Sequence, residues 1–208
     1  GVGHGGRIAM LTPPSSEWLT VMLATTEIGA IWCGYHPRYK RPEFRHVTEL
    51  AEPSVLIGFR HIHERDYADD LLAMKAEVGS VRKLVVLDAP LEGAVMASDF
   101  LNAGDKISDD ELEAARARVA IDDTAVLIFT SGTTGRPKAA MVKHRALLTG
   151  GAVENEHWPM DRPRILHMMP VNHIAGVGMT GVFGIYVGGT QVFQDRFEPG
   201  DLLRLLEE

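Results

Sequence analysis

The nine residues Thr130-Ser-Gly-Thr-Thr-Gly-Arg-Pro-Lys138 carry four hydroxyl side chains, two glycines and a closing lysine, directly after the apolar run Ala125-Val-Leu-Ile-Phe129. That set suits a polyphosphate. Glycines let backbone N–H groups approach the oxygens, Ser and Thr add short donors, and lysine brings a charge on a long stem. Gly, Ser, Thr and Pro also dominate ordinary surface turns. The strand before the loop and the lysine after it are what favour phosphate binding. The spacing departs from a Walker A loop: the four residues between glycines are missing, and Ala139 stands where Ser or Thr would hold Mg²⁺.

A second candidate is His173 in Pro170-Val-Asn-His-Ile-Ala-Gly176. At a strand-to-helix corner a histidine either satisfies the local backbone or offers a ring nitrogen to a ligand, and the residues alone leave both open. Ile174, Val177, Met179, Val182 and Phe183 follow, bordering an apolar ligand or building the core face of a helix. No acidic residue occurs from Arg164 through Thr190, so a ligand ammonium group would find no carboxylate there. The other histidines show no metal-binding spacing, and no metal site is expected. His61 and His63 fall in a segment read as helical, where their side chains diverge. The single cysteine, Cys33, excludes an internal disulfide and is read as a buried, inert thiol.

The elements that must position these groups alternate between short apolar strands and amphipathic helices. Strands are expected at Arg7 to Leu11, Val55 to Gly58, Lys83 to Leu87, Val126 to Phe129, Ile165 to Met169 and Thr190 to Gln194. Helices are expected from Ser15 or Ser16 to about Cys33, from Pro42 to Ala51, His61 to Val78, Glu111 to Val119, Lys143 to Glu156, Ala175 to Tyr186 and Pro199 to Glu208. The alternation implies an α/β fold with mainly parallel sheets covered by helices. Residues 92–123, with their acidic cluster from Asp105 to Glu113, read as a polar surface excursion that returns the chain to the sheet.

A net charge of -7 over 208 residues argues against a nucleic-acid partner. The charge is unevenly spread: Thr124 to Val153 contains no Asp or Glu but holds Arg136, Lys138, Lys143 and Arg145, a cationic window that favours a small anion. The most apolar segment, Trp18 to Trp32, is interrupted by Glu27 and too short to span a bilayer, so no transmembrane segment and a cytoplasmic location are expected. The chain opens on Gly1 and stops inside an amphipathic pattern without a capping signal, as a piece of a longer protein would.

The loop, followed by Met141-Val-Lys-His144, resembles the signature of the adenylate-forming enzymes: acyl-CoA synthetases, peptide-synthetase adenylation domains and luciferases. Ala139 departs from that pattern, which commonly has Gly there. Gly3 to Leu11 is similar to the family's early strand, with Gly6 for a usual Asp, and Glu17 to Ala30 to its next helix. Pro170 to Gly176 resembles the block that lines the acyl pocket. Gly188 to Phe193 and Arg196-Phe-Glu-Pro199 resemble the strand and helix entry that follow. The resemblance covers essentially the whole chain.

It implies an ATP-dependent acid–thiol ligase of the acyl-CoA synthetase type, which turns a carboxylic acid into an acyl-adenylate and then a thioester, with ATP, its Mg²⁺ and coenzyme A as small-molecule partners. By the resemblance, Thr130, Ser131, Thr133 and Thr134 would donate hydroxyls to the phosphates. Gly132 and Gly135 would open the backbone, Lys138 would carry charge, and His173, Ile174 and Gly176 would border the acid. The missing carboxylate points to a fatty or aromatic acid. Residues 1–208 would then be an incomplete N-terminal ATP- and acyl-binding domain, partial in the family fold and lacking the C-terminal domain. The remainder of the same polypeptide would be required, and the isolated chain inactive. The competing expectation is a non-catalytic nucleotide- or phosphate-binding module.

Overall fold

Ala9, Met10 and Leu11 are consecutive and fully buried, so the strand that holds them needs an apolar layer on each face. The computed structural model, which describes residues 1–130 and 137–207, supplies both layers. Strand β1 (Arg7–Leu11) leads through α1 (Ser16–Glu27) to β2 (Ile31–Tyr35), and α2 (Arg41–Ala51) carries the chain to β3 (Val55–Gly58). A small hairpin of β4 (His61–Ile62) and β5 (Arg65–Asp66) precedes α3 (Ala68–Glu77) and β6 (Lys83–Val86). Next come β7 (Val95–Met96), α4 (Ala97–Asn102), a 3-10 turn and α5 (Asp109–Arg116). Then follow β8 (Thr124–Thr130), β9 (Lys138–Lys143), α6 (His144–His157) and β10 (Arg164–His167). A π-helix over Ala175–Val182 runs into α7 (Phe183–Tyr186), before β11 (Thr190–Phe193) and α8 (Pro199–Glu207).

The main sheet has the order β7-β6-β3-β1-β2-β8-β9. Its pairings are parallel except the last, where β9 returns antiparallel along β8. Helices α2 and α3 cover one face, packing Phe44, Val47, Leu71 and Met74 with Leu11, Cys33 and Leu56. The other face is covered by α1, α6 and the π-helix, whose Trp18, Met22, Leu147 and Val177 pack with Met10, Trp32 and Val126. This is the mainly parallel, doubly covered α/β architecture expected from the sequence. β10 and β11 form a separate parallel pair.

Several elements differ from the sequence-based expectation. Helix α1 is capped by Ser15, whose hydroxyl accepts from the Trp18 N–H at 3.2 Å, but it ends at Glu27 rather than near Cys33. Gly29, at φ 71°, turns the chain, and Ile31 to Tyr35 become a strand buried against both layers. An apolar run cannot by itself distinguish a buried helix from a buried strand. Residues 61–66 form a hairpin instead of a helix, with His63 at φ 53°, and α3 starts only at Ala68. The 92–123 segment contributes β7 to the sheet edge as well as surface, and Phe100 packs against the core. Its exposed helix is α5, closed by a capping box between Ser108 and Glu111.

Candidate functional site

At the centre of the sheet, adjacent strands leave toward opposite faces: β1 feeds α1, whereas its neighbour β2 feeds α2. A reversal of this kind opens a crevice outside the carboxyl ends of the strands. Tyr35, at the end of β2, packs on Phe129 near the end of β8, with ring centroids 5.8 Å apart. From the second layer, the 170–174 loop closes directly on β2. A Cβ added to Gly34 would lie 2.4 Å from the Trp32 ring and 3.0 Å from Asn172 Cα, so glycine makes room for both. Strand β2 thus pairs with β8, whose last residue is Thr130, and receives the loop bearing His173 against Gly34.

Thr130 and Lys138 are the last registered pair of the β8–β9 hairpin, and both side chains are exposed. The Thr130 hydroxyl donates to the Lys138 carbonyl at 3.4 Å, a long bond that a better acceptor could replace. Ser131, Gly132, Thr133, Thr134 and Gly135 lie outside the described residues. The cationic window needs correction. Lys143 and Arg145 sit at the opposite end of the hairpin, roughly 17 Å along the strand from Lys138 at ~3.4 Å per residue. There both engage Asp122, at 3.8 and 2.8 Å. His144 is equally remote: it opens α6, and its backbone N–H donates to the Asp123 carbonyl. Among the described residues no acidic side chain pairs with Lys138.

His173 is exposed, and its Nδ1 accepts the Ala175 N–H at 3.1 Å. A neutral ring with Nδ1 accepting carries its proton on Nε2, which is thereby left as a donor for a ligand. The bond to Ala175 shows the satisfied reading of this histidine at Nδ1. Ile174 beside it is 40% exposed, whereas Gly176 is buried. Of the apolar residues that follow, Val177 and Phe183 belong to the core and not to a ligand surface; Met179 is exposed.

His167 went unnoticed in the sequence. It is fully buried between Trp18 and Phe193, at ring distances of 4.9 and 5.3 Å, and its Nε2 donates to the Gly176 carbonyl at 3.0 Å. Burial pushes its pKa down, partly opposed by the bond to Gly176, so the ring is held neutral. It ties β10 to the loop that presents His173. Within that loop Asn172, 7% exposed, reaches Tyr39, whose phenol pKa is raised by burial and Glu43 and lowered in part by Asn172. Burial pushes the Cys33 thiol up to about 12, so it is no nucleophile.

A cavity of about 180 Å³ lies between α1, α6 and α7, lined by Met22, Leu23, Val126, Leu147, Ile185 and Tyr186. Ala125 and Val126, at the start of β8, form part of its wall, and His173 does not line it. Among the described residues, no group of three His, Cys, Asp or Glu could hold a metal ion, and no helix is long and apolar enough to cross a membrane.

Comparison with known proteins bears on the whole chain. A family model described as AMP-binding enzyme matches residues 1–208. A feruloyl-CoA synthase from Amycolatopsis is 30% identical over all of the chain, which spans 38% of that relative's length. The mitochondrial medium-chain acyl-CoA ligase of Mus musculus is 26% identical over 92% of the chain, corresponding to 33% of its own. ATP-bound MatB from Rhodopseudomonas palustris superposes with a TM-score of 0.74 at 24% identity, over 100% of this chain and 39% of MatB.

Proposed function

The chain belongs to the AMP-binding enzyme family, and from that membership we propose that it supplies the phosphate-holding hairpin and part of the acid site of an ATP-dependent acid–CoA ligase. In this reading a carboxylate oxygen attacks the α-phosphorus of ATP, the bond to the β-phosphate oxygen breaks, and pyrophosphate leaves with the electron pair. The sulfur of coenzyme A then attacks the acyl carbon, AMP departs with the electrons of the C–O bond, and the thiol proton passes to solvent. Negative charge grows on the leaving phosphates in the first step, so donors fixed there favour the transition state over the ground state. Lys138, with Thr130 and residues 131–135, would be those donors. His173 would offer its Nε2–H to the carboxylate or the α-phosphate as a positioning contact. A general base is not needed, because a carboxylic acid is already ionised at neutral pH. Mg²⁺ would arrive with ATP, held largely by the phosphates.

The observation that carries this reading is that Lys138 stands opposite Thr130 at the carboxyl end of β8, while the loop bearing His173 packs on β2, the strand paired with β8. An acid with an uncharged, apolar body fits best: residues 165–189 hold no carboxylate, and the exposed apolar side chains around His173 in sequence are Met169, Ile174 and Met179. The aromatic and aliphatic acids named for the two relatives fall in that class. Because the chain spans well under half of those relatives, acid-dependent pyrophosphate exchange is expected only with the remainder of the polypeptide. Titration of the 208-residue chain with ATP, comparing Lys138→Ala, tests the phosphate site. Loss of a charge-assisted contact predicts about 10- to 100-fold weaker binding, and a change below about twofold would overturn the assignment.

A further inference from the structure

Pro137 immediately precedes β9, whose last registered pair with β8 among the described residues is Lys138 with Thr130. A part-buried carbonyl calls for a hydrogen-bond donor, and one is in place. It comes from α2: the Nε2 of His46 stands 2.9 Å from the Pro137 oxygen, across 91 residues of sequence. A carbonyl only accepts, so the His46 proton must be on Nε2, which is true of one neutral tautomer and of the imidazolium alike.

Helix α2 is built to hold that ring still. Phe44, Val47, Thr48 and Ala51 anchor it in the core, and on another flank Arg41 is bonded to Glu77 of α3. His46 lies half-buried at the margin of the apolar face, where α2 meets β9. Its bond has a directional consequence. The Pro137 carbonyl and the Lys138 N–H belong to one planar peptide unit. Holding the oxygen restrains that plane, and with it where the Lys138 Cα enters β9. The second bond among the described residues at this hairpin mouth, from Thr130 to Lys138, is longer by half an ångström (3.4 against 2.9 Å).

We propose that His46 is a positioning residue for the phosphate site, orienting the Pro137–Lys138 peptide so that Lys138 meets the β- and γ-phosphates. The inference rests on the ligase reading above, and it assigns His46 no contact with substrate. The test uses the 208-residue chain, with ATP and AMP titrated separately against wild type, His46→Ala, His46→Gln and Lys138→Ala, and each variant's melting temperature as the folding control. His46→Ala is expected to weaken ATP about fivefold, in the range of one lost neutral hydrogen bond, while leaving AMP within twofold. His46→Gln, whose amide nitrogen reaches where Nε2 was, should restore ATP binding to within twofold of wild type. If Lys138→Ala costs tenfold or more but His46→Ala costs nothing, His46 does not position the site and the ligase reading stands. Equal weakening of ATP and AMP by His46→Ala, or no rescue by His46→Gln at an unchanged melting temperature, would also overturn the proposal. If Lys138→Ala itself leaves ATP affinity intact, the phosphate-site reading fails and this inference falls with it.

Discussion

Gly176 and Gly150 receive the same methyl group with opposite consequences. A Cβ on Gly176 would stand 2.3 Å from the Pro170 carbonyl oxygen, 3.0 Å from its carbon and 3.2 Å from the Met169 oxygen. All three are backbone atoms, so relief requires shifting the 169–172 segment by close to an ångström. That segment has little slack, because Asn172 already lies against Gly34 on its other side. Overpacking of this kind costs about 1–3 kcal/mol, and an obstacle made of backbone argues for the upper end. Gly150 lies in the middle of α6, exposed, with nothing within 4 Å of the added carbon. Alanine there gains about 0.8–1 kcal/mol of helix propensity. The two variants should therefore differ by about 4 kcal/mol. At ~2–4 °C per kcal/mol for a chain of this length, Gly176→Ala should melt roughly 6–12 °C lower and Gly150→Ala roughly 2–4 °C higher than wild type. Urea unfolding followed by circular dichroism, with m-values compared, measures both. Shifts in the same direction, or a gap under about 1 kcal/mol, would show that the loop around Gly176 is not packed as described.

Two further outcomes follow from individual contacts. Burial holds His167 below its usual pKa of 6.5, so as pH falls through that value the unfolded chain takes up a proton the folded chain refuses. Stability should be full above about pH 6.5 and decline below it; His167→Gln should flatten that decline in urea midpoints between pH 5 and 7, and an unchanged slope would be evidence against it. His36 and His144, also lowered by burial, should keep part of the slope. Ser15→Ala removes the cap of α1 and should cost about 1 kcal/mol, read as a melting-temperature drop of roughly 2–4 °C; an unchanged value would mean the cap adds nothing.

Much of the fold was legible because its strands announce themselves. Val55 to Gly58 and Lys83 to Val86 are short apolar runs between turn residues, and α2 has Pro at its first turn. Ile31 to Tyr35 was not legible, since it continues an apolar helix with only Gly29 between them. Strand β9 hid for another reason: an edge strand bounded by Lys138 and Lys143, with only Ala139 and Val142 partly buried, has no regular apolar alternation to read. The helix over Ala175 to Tyr186 was legible as a helix, but the π register of its first part, Ala175–Val182, is not a feature that a 3.6-residue pattern shows. At the site, residue types pointed to Lys138 and His173, but proximity in sequence misled where the chain folds back, which is how Lys143 and Arg145 were grouped with a loop at the other end of their hairpin. His46 and His167 act on backbone carbonyls, Pro137 and Gly176, and a carbonyl has no letter in the sequence.

The order of strands also bears on how the molecule assembles. β1 finds β2 across about 24 residues, Ile8 opposite Trp32, whereas β2 finds β8 across roughly 90, Trp32 opposite Val126. Each doubling of a closed loop adds about 0.6 kcal/mol of entropy cost, so docking β8 starts about 1 kcal/mol behind. The β8–β9 hairpin is local and can pair with itself in about 1–10 μs, long before it reaches the sheet. The β7-β6-β3-β1-β2 portion would thus form a template with an open β2 edge, and the hairpin would add to it as a prefabricated unit. Lys138 would meet α2, and the crevice would acquire its second wall, only at that closing step.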